Sequence, residues 1–522
     1  MQRNLKLIFS LVFLFVFCFV INAQQQIQNE ENNGCTSIIV GKKASVDGST
    51  MTSHSCDSGT DRTWINIVPH EKHKKGEVEK IYKNAKRTKY YKDTAAVSIG
   101  TIPQVSESYA FFNATYPIMN EYQLAIGETT IGGKNVMISK KGLLDCPELY
   151  RLALERAKTA REAILLIDDL TKKYGYNDAG ECFTFADKNE TWHFEIFGPG
   201  KDKIGAVWAA VRIPDENVGV SANASRIREI NIKDTANYMA SENVFSIAKE
   251  MGLWKPESGK PFEFCYAYAD RNSTFCKRRE WRVLSLAAPS LHLDPNAENY
   301  PLSVKAEKKL SVKDVLDIFR DYYQNTDFDM TANIGIKTTL GKLYKSGIAN
   351  PFMPYDYNSL LNVKYERTIA CKAATYVQVT QTRGWLPDEI GGVVWYGYDN
   401  PATTPHTPFY AGISRMPNSY MVDGREKFRK DCAWWAFRQV SQLSYMRYQP
   451  MSVDVAKVWS DIETKAFNNQ ADFEKKVLEV YKKDKAKAKK LLTDYSIKLA
   501  EDSVKRYWLL AEELWTKYTN QF

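Results

Sequence analysis

Residues 34–59 read GCTSIIVGKKASVDGSTMTSHSCDSG, and the rest of the chain is read outward from this stretch. TSIIVGKKAS, from Thr36 on, carries the β-branched residues that suit a strand. Directly before it stands Gly34-Cys35, at the junction between a polar leader and the first strand. That leader, QQQIQNEENNG over residues 24–34, has almost nothing to bury and reads as a removable propeptide. Farther upstream, Arg3 and Lys6 precede an apolar run from Leu7 to Ile21 that ends at Asn22 and Ala23. A positive start, a short apolar run and a small residue at its end describe a secretory signal peptide over residues 1–23. The run is shorter than the roughly 20 apolar residues of a membrane span, and no second run of that length follows. The expectation is an exported chain with no stable membrane anchor after processing.

A cysteine exposed by cleavage would carry thiol and α-amine on one residue, the arrangement of an N-terminal nucleophile. A lipid-anchored cysteine needs the apolar run to abut it and a Leu-like residue three positions earlier, where this chain has Asn32. On the residues alone, an ordinary buried strand cysteine stays open beside the nucleophile.

Further strand pairs follow. NEYQLAIGETTIGGKNVMIS over residues 120–139 is β-like, and ECFTFADKNETWHFEIFG over 181–198 reads as a hairpin about a polar DKNE turn. GAVWAAVRIPDENVGVSAN over 205–223 forms another pair, as do YVQVTQTRG at 376–384 and IGGVVWYGYDN at 390–400. The Pro-rich NPATTPHTPFY after them reads as a loop. Between the first strand groups, residues 147–175 are apolar at helical spacing, with Pro147 near the start and Gly175 at the end, which predicts one long helix. Near the C-terminus, Phe473, Val477, Val480 and Tyr481, then Val504, Trp508, Ala511 and Trp515, fall at helical spacing. This is an α+β pattern with a helical C-terminal extension.

With 522 residues and 44% hydrophobic content there is ample material for a large core, so global disorder is excluded. The net charge of +9 is modest, and its densest run, Lys482 to Lys490, has the spacing of a solvated helix face, so no nucleic-acid partner is expected. H-E-x-x-H, C-x-x-C, P-loop, G-x-G-x-x-G and G-x-S-x-G motifs are all missing from the sequence, so neither a metal nor a cofactor is expected. Eight cysteines remain after Cys18 leaves with the signal peptide, which would permit several disulfides. Cys265 and Cys276 are near enough in sequence to close a short loop.

The opening stretch resembles the dipeptidase A type family of cysteine N-terminal-nucleophile (Ntn) peptidases, in which Cys-Thr, the G-K-x-A-S-x-D-G-S hairpin and a downstream Asp recur together. The resemblance continues through MNEYQLAIGETT, FEIFGPGK, VRIPDENVGVSANASRI and REWRVLSLAAPS, and so covers most of residues 35–290. It implies a four-layer αββα sandwich of two antiparallel sheets, with a peptidase domain over 35–425 and the helical extension over 426–522. It also implies hydrolysis of dipeptides with a free amino end through a thioester on Cys35. The family analogy favours a homo-oligomer.

Carried over residue by residue, Asp57 matches the carboxylate that fixes the α-amine and Asn223 matches a donor to the oxyanion. Arg282 matches an arginine that supports charge at the site, with Arg279 as the runner-up. Two positions depart from the related acylases: His54 stands where that branch has Arg, and Glu128 stands where it has Asn. An ionised Glu cannot donate a hydrogen bond. Glu128 therefore argues against acylase activity and is assigned, with His54, to substrate binding, where it would face the substrate's ammonium group. The alternative function is an Ntn amidase or acylase acting on other small linear amides.

Overall fold

The computed structural model describes residues 34–58, 63–82, 97–270 and 273–520. The signal-peptide reading of residues 1–23, and the propeptide reading up to residue 33, lie outside the described residues.

Twelve strands build two antiparallel sheets. In chain order they are β1 (Gly34–Val40), β2 (Ser53–Asp57), β3 (Ala125–Thr130), β4 (Glu181–Ala186), β5 (Thr191–Phe197), β6 (Val207–Ile213), β7 (Asn217–Ser221), β8 (Tyr238–Ala240), β9 (Ser303–Lys305), β10 (Tyr376–Gln381), β11 (Val393–Tyr398) and β12 (Thr407–Tyr410). The seven-stranded sheet runs β9-β7-β1-β2-β10-β11-β12 and the five-stranded sheet β8-β6-β5-β4-β3. The mixed α/β architecture, the antiparallel sheets and the helical C-terminal region all agree with the sequence pattern.

The two sheets meet through small hydroxyl side chains. Ser37 on β1 bonds Thr184 on β4 at 2.5 Å, Thr129 on β3 bonds Ser221 on β7 at 2.5 Å, and the Thr52 hydroxyl donates to the Thr184 carbonyl at 3.0 Å. All of these residues are buried, so each hydroxyl must find a partner or cost desolvation energy, and pairing across the sheets supplies one. At the centre of the contact is Gly127. A Cβ there would lie 2.2 Å from the Ser53 carbonyl oxygen and 2.6 Å from Thr184 Oγ1, so only glycine lets the sheets approach this closely.

The helices depart from the sequence reading in one place. Residues 147–175 form two helices, α1 (Cys146–Arg156) and α2 (Ala160–Tyr174), instead of one. The break lies at Thr159, whose side chain caps α2 by accepting from the Glu162 backbone N–H. Glu162 in turn accepts from the Lys158 N–H at 2.8 Å, and Asp187 accepts from the Ala160 N–H at 2.8 Å. T-A-R-E at 159–162 is a capping-box sequence inside a helical apolar pattern, and the caps outweigh helix continuity. Both helices lie against the five-stranded sheet side of the molecule, where Trp208 Nε1 on β6 donates to Asp168 at 2.8 Å.

A second departure is β12. Its residues belong to the Pro-rich stretch read as a loop, yet Thr407–Tyr410 pairs with β11 as the edge strand of the larger sheet. Pro408 is tolerated there because an edge strand has one side with no ladder bond to lose. Helix α3 (Thr274–Ala287) packs on β7 and β9, and α4 (Val312–Phe319) on β10. The C-terminal helices α5 (Ala433–Met446), α6 (Tyr448–Tyr481) and α7 (Lys485–Tyr518) cover β11 and β12. Trp395 stacks on Phe467 with ring centroids 4.1 Å apart, and Arg383 holds Glu474 through two bonds of 2.7 and 2.8 Å. These helices share one continuous apolar core with the sheets.

Gly127→Ala is expected to destabilise the fold by about 1–3 kcal/mol, because a methyl group must push two sheets apart or break the hydroxyl pairs. Urea denaturation measures this, and an unchanged midpoint would contradict the close approach described above.

Candidate active site

Strand register brings most of the sequence-predicted residues together where two interior strands of the larger sheet, β1 and β2, begin and end. Cys35 is the second residue of β1 and stands opposite Cys56, while Gly34 stands opposite Asp57, the last residue of β2. On the other flank, β7 ends at Ser221 opposite Ser37, so Ala222 and Asn223 run on beside Cys35. Asn223 has φ +62°, a left-handed conformation that Asn adopts more readily than most residues. From there its Oδ1 accepts from the Cys35 backbone nitrogen at 2.8 Å.

Arg279, buried on α3, clamps this arrangement. Its Nη1 donates to the Cys35 carbonyl at 2.6 Å and to Thr36 Oγ1 at 3.0 Å, and its Nη2 donates to the Ala222 carbonyl at 3.2 Å and to Asn223 Oδ1 at 2.9 Å. Two donors converge on Oδ1, which fixes which way the amide faces. Asn223 Nδ2 is left to donate to the Thr130 carbonyl at 2.7 Å. In this arrangement Asn223 holds the Cys35 nitrogen, and its own donor is already engaged.

Arg282 is not brought to Cys35. Its guanidinium lies on Asp321, with bonds of 3.0, 3.0 and 2.7 Å. Three residues along a helix is a shift of about 4.5 Å, enough to separate the two arginines into different pairs. Of the two arginines, the structure sets Arg279, the runner-up, against Cys35 and keeps Arg282 on Asp321. Arg282 reaches the site only indirectly, since Asp321 also accepts from the Tyr323 N–H and the Tyr323 hydroxyl donates to the Arg367 carbonyl.

Asp57 is fully buried. Its Oδ2 accepts from Ser55 Oγ at 3.1 Å and from the Arg367 guanidinium, while Oδ1 has no hydrogen-bond partner among the described residues. Burial pushes its carboxyl above the usual range, with the charges of Arg367 and Arg279 and the bonds from Arg367 and Ser55 pulling the other way. A Cβ on Gly34 would lie 3.0 Å from Asn223 Oδ1 and 3.6 Å from Arg367 Nη2, so the residue before Cys35 is threaded between these groups.

Cys35 is 7% exposed. Burial pushes its thiol well above the ordinary value, as do the neighbouring acidic groups Glu128, Cys56 and Asp57, while a backbone hydrogen bond from Asp57 pulls the other way.

His54 and Glu128 meet on the same side as the thiol. His54 Nε2 lies 3.2 Å from Glu128 Oε2, and His54 Nδ1 lies 3.2 Å from the Tyr376 hydroxyl. Burial pushes Glu128 up, but the hydrogen bond and charge of His54, followed by hydrogen bonds with Glu181 and Cys35, hold it below the usual carboxylate range. Glu181 shifts in the opposite sense, well upward, through burial and then the charge and shared hydrogen bond of Glu128. The Thr130 hydroxyl lies between the two carboxylates, 3.1 Å from Glu128 and 3.2 Å from Glu181. The two shifts run in opposite senses, favouring the charged form of Glu128 and the protonated form of Glu181.

The structure thus gathers Cys35, Asp57, Asn223, His54 and Glu128 together and adds Arg279, Arg367, Glu181 and Tyr376. A charged residue opening the apolar strand ECFTFA signals a buried, partnered Glu181. Arg367 lies 310 positions from Asp57 and carries no local motif. Cys35, Cys146, Cys182, Cys276, Cys371 and Cys432 are buried free thiols, so the short loop from Cys265 to Cys276 is not closed by a disulfide. Cys276 Sγ instead donates to the Asn223 carbonyl at 3.3 Å.

The family model for Peptidase family C69 matches residues 34–461. A probable dipeptidase of Latilactobacillus sakei is 26% identical over 469 residues, covering 85% of this chain and 89% of the relative. A probable dipeptidase of Salmonella dublin is 27% identical over 73% of this chain and 81% of its own length. Probable dipeptidase B of Lactococcus lactis subsp. lactis is 27% identical over 81% and 84%.

The upward shift of Glu181 carries a pH signature. Above the ordinary Glu value, about 4.3, the folded chain retains a proton that the unfolded chain has lost, so this group's contribution to stability falls as pH rises toward the folded value. Glu181→Gln keeps a donor for Glu128 and does not titrate. Its stability relative to the unsubstituted protein is expected to improve between about pH 5 and pH 8, read from urea midpoints at the two pH values. A relative stability that worsens as pH rises would contradict the assignment.

Proposed function

The chain belongs to Peptidase family C69, and from that premise we propose that it is a dipeptidase whose nucleophile is Cys35, made N-terminal by removal of residues 1–34. The observation that carries this reading is the bond from the Cys35 nitrogen to Asn223 Oδ1, beside the buried, unpartnered Oδ1 of Asp57. A peptide nitrogen has one hydrogen and uses it on Asn223. An α-amine has more, and Asp57 Oδ1 offers the acceptor that the peptide form leaves unused.

In the uncut chain the thiol is held neutral by burial and by anionic neighbours. Cleavage before Cys35 supplies a base on the same residue, since an α-amine titrates near 8. The amine takes the thiol proton, and the thiolate attacks the scissile carbonyl. The resulting ammonium passes its proton to the leaving amine, and a thioester forms. Water, deprotonated by the same amine, then releases the acid and regenerates Cys35. Asp57, tied to Arg367, orients the amine; Asn223 and Arg279 hold the backbone of Cys35. Glu128, ionised and buried, is suited to the ammonium group of a dipeptide with a free amino end. The same negative charge disfavours the alternative substrates, N-acyl amides, which carry no cation there.

The facing sheets and their helices support an αββα Ntn-hydrolase sandwich. The apolar run from Leu7 to Ile21 supports export, with residues 1–23 as signal peptide and 24–34 as a propeptide lost by autoprocessing.

Cys35→Ser is expected to lower dipeptide turnover by about 1000-fold or more. Arg279→Lys, which loses the fork that bridges Cys35 and Asn223, is expected to lower it at least about tenfold more than Arg282→Lys does. Turnover of a dipeptide panel measures both, with thermal unfolding of each variant alongside. Full activity of Cys35→Ser would sink the proposal, and equal effects of the two arginine variants would remove the special place of Arg279.

A further inference from the structure

Three donor types converge at the Cys35 thiol. Among the described residues, Cys35 Sγ, a His54 ring nitrogen and a Glu128 carboxylate oxygen lie within 4.8 Å of one another, all on buried residues. His54 Nε2 and Glu128 Oε2 are 3.2 Å apart and have no hydrogen-bond partner other than each other among the described residues. We propose that Cys35, His54 and Glu128 form a binding site for a divalent cation of the zinc type, and that an ion held there takes the nucleophile out of action. The loss of activity rests on the function proposed above, whereas the binding itself does not.

The chemistry favours zinc among the common ions. Sulfur, imidazole and carboxylate are its usual donors, whereas calcium and magnesium prefer oxygen alone. Bonds of about 2.0–2.3 Å at tetrahedral angles put donor atoms about 3.3–3.6 Å apart, and the His54–Glu128 separation of 3.2 Å lies just below that range. Tyr376 engages His54 Nδ1, which leaves Nε2 to face the cluster. Partners of this kind orient ligands from the outside. Charge also balances: a thiolate, a carboxylate and a neutral imidazole carry two negative charges, so a dication makes the buried cluster neutral. Binding replaces the thiol proton by the metal and releases that proton to solvent, with no redox change.

The test uses the mature full-length chain, stripped with a chelator and titrated with Co2+ as a spectroscopic substitute for Zn2+. The expected result is one Co2+ per chain with a sulfur-to-cobalt charge-transfer band. Zn2+ should then remove that band stoichiometrically and protect Cys35 from alkylation by iodoacetamide. His54→Gln and Glu128→Gln are each expected to weaken binding about tenfold or more, and Cys35→Ser to abolish the band. The protection experiment on the unsubstituted chain does not depend on how well the variants fold. Saturating Co2+ without a thiolate band, or unprotected Cys35 in excess Zn2+, would overturn the site. A chain that shows the band but hydrolyses no dipeptide keeps the site and loses the proposed function; one that hydrolyses dipeptides without the band does the reverse.

Discussion

The hydrogen bond from the Cys35 nitrogen to Asn223 Oδ1 is the constraint around which the site is arranged. It requires β7 to end beside the first residues of β1 and Asn223 to take a left-handed turn, and a side chain on residue 34 would crowd Asn223 Oδ1 at 3.0 Å. Arg279 closes the arrangement from α3 by bonding the Cys35 carbonyl and Asn223 Oδ1 at once. One guanidinium thus couples helix packing to the position of one backbone nitrogen. The fork geometry of arginine suits this bridge, and a single-point ammonium does not.

Buried charge gives the site its second property. Asp57 with Arg367, and Glu128 with His54 and Glu181, are almost fully shielded from water. Removing one partner of such a pair leaves an uncompensated charge, at a cost of about 3–5 kcal/mol, so these groups hold one another in place. The two clusters differ in their cations: Asp57 faces the fixed charges of Arg367 and Arg279, whereas Glu128 brings its negative charge beside the thiol with the titratable His54 opposite it. In low dielectric that charge acts strongly on a cation, and it raises the thiol as long as none is present. The same field would suit the ammonium group of the proposed substrate and the proposed metal ion alike.

Much of this was legible in the sequence because it is local. Strands 34–40, 181–186, 191–197 and 207–213 follow from β-branched and aromatic runs, and Cys35 stands out at the boundary between a polar leader and the first strand. Asp57, Asn223, His54 and Glu128 could be named from motif positions. The remaining features depend on phase or on long-range register. Choosing Arg279 over Arg282 requires the rotation of α3 about its axis, which the motif does not specify. Arg367 meets Asp57 only because the sheet and the loop after α4 converge, far apart in sequence. The break at Thr159 and the edge strand at Thr407–Tyr410 are local, but in each a weaker signal, a capping box or a strand end, overrode the more visible helical or Pro-rich pattern.

The central claim is that the nitrogen held by Asn223 belongs to an α-amine in the working enzyme. Intact mass with N-terminal sequencing of active, purified protein tests it directly. The account predicts a chain that begins at Cys35, with an unmodified thiol. An active protein that begins at Gln24, or one carrying a lipid-sized mass on Cys35, would contradict it.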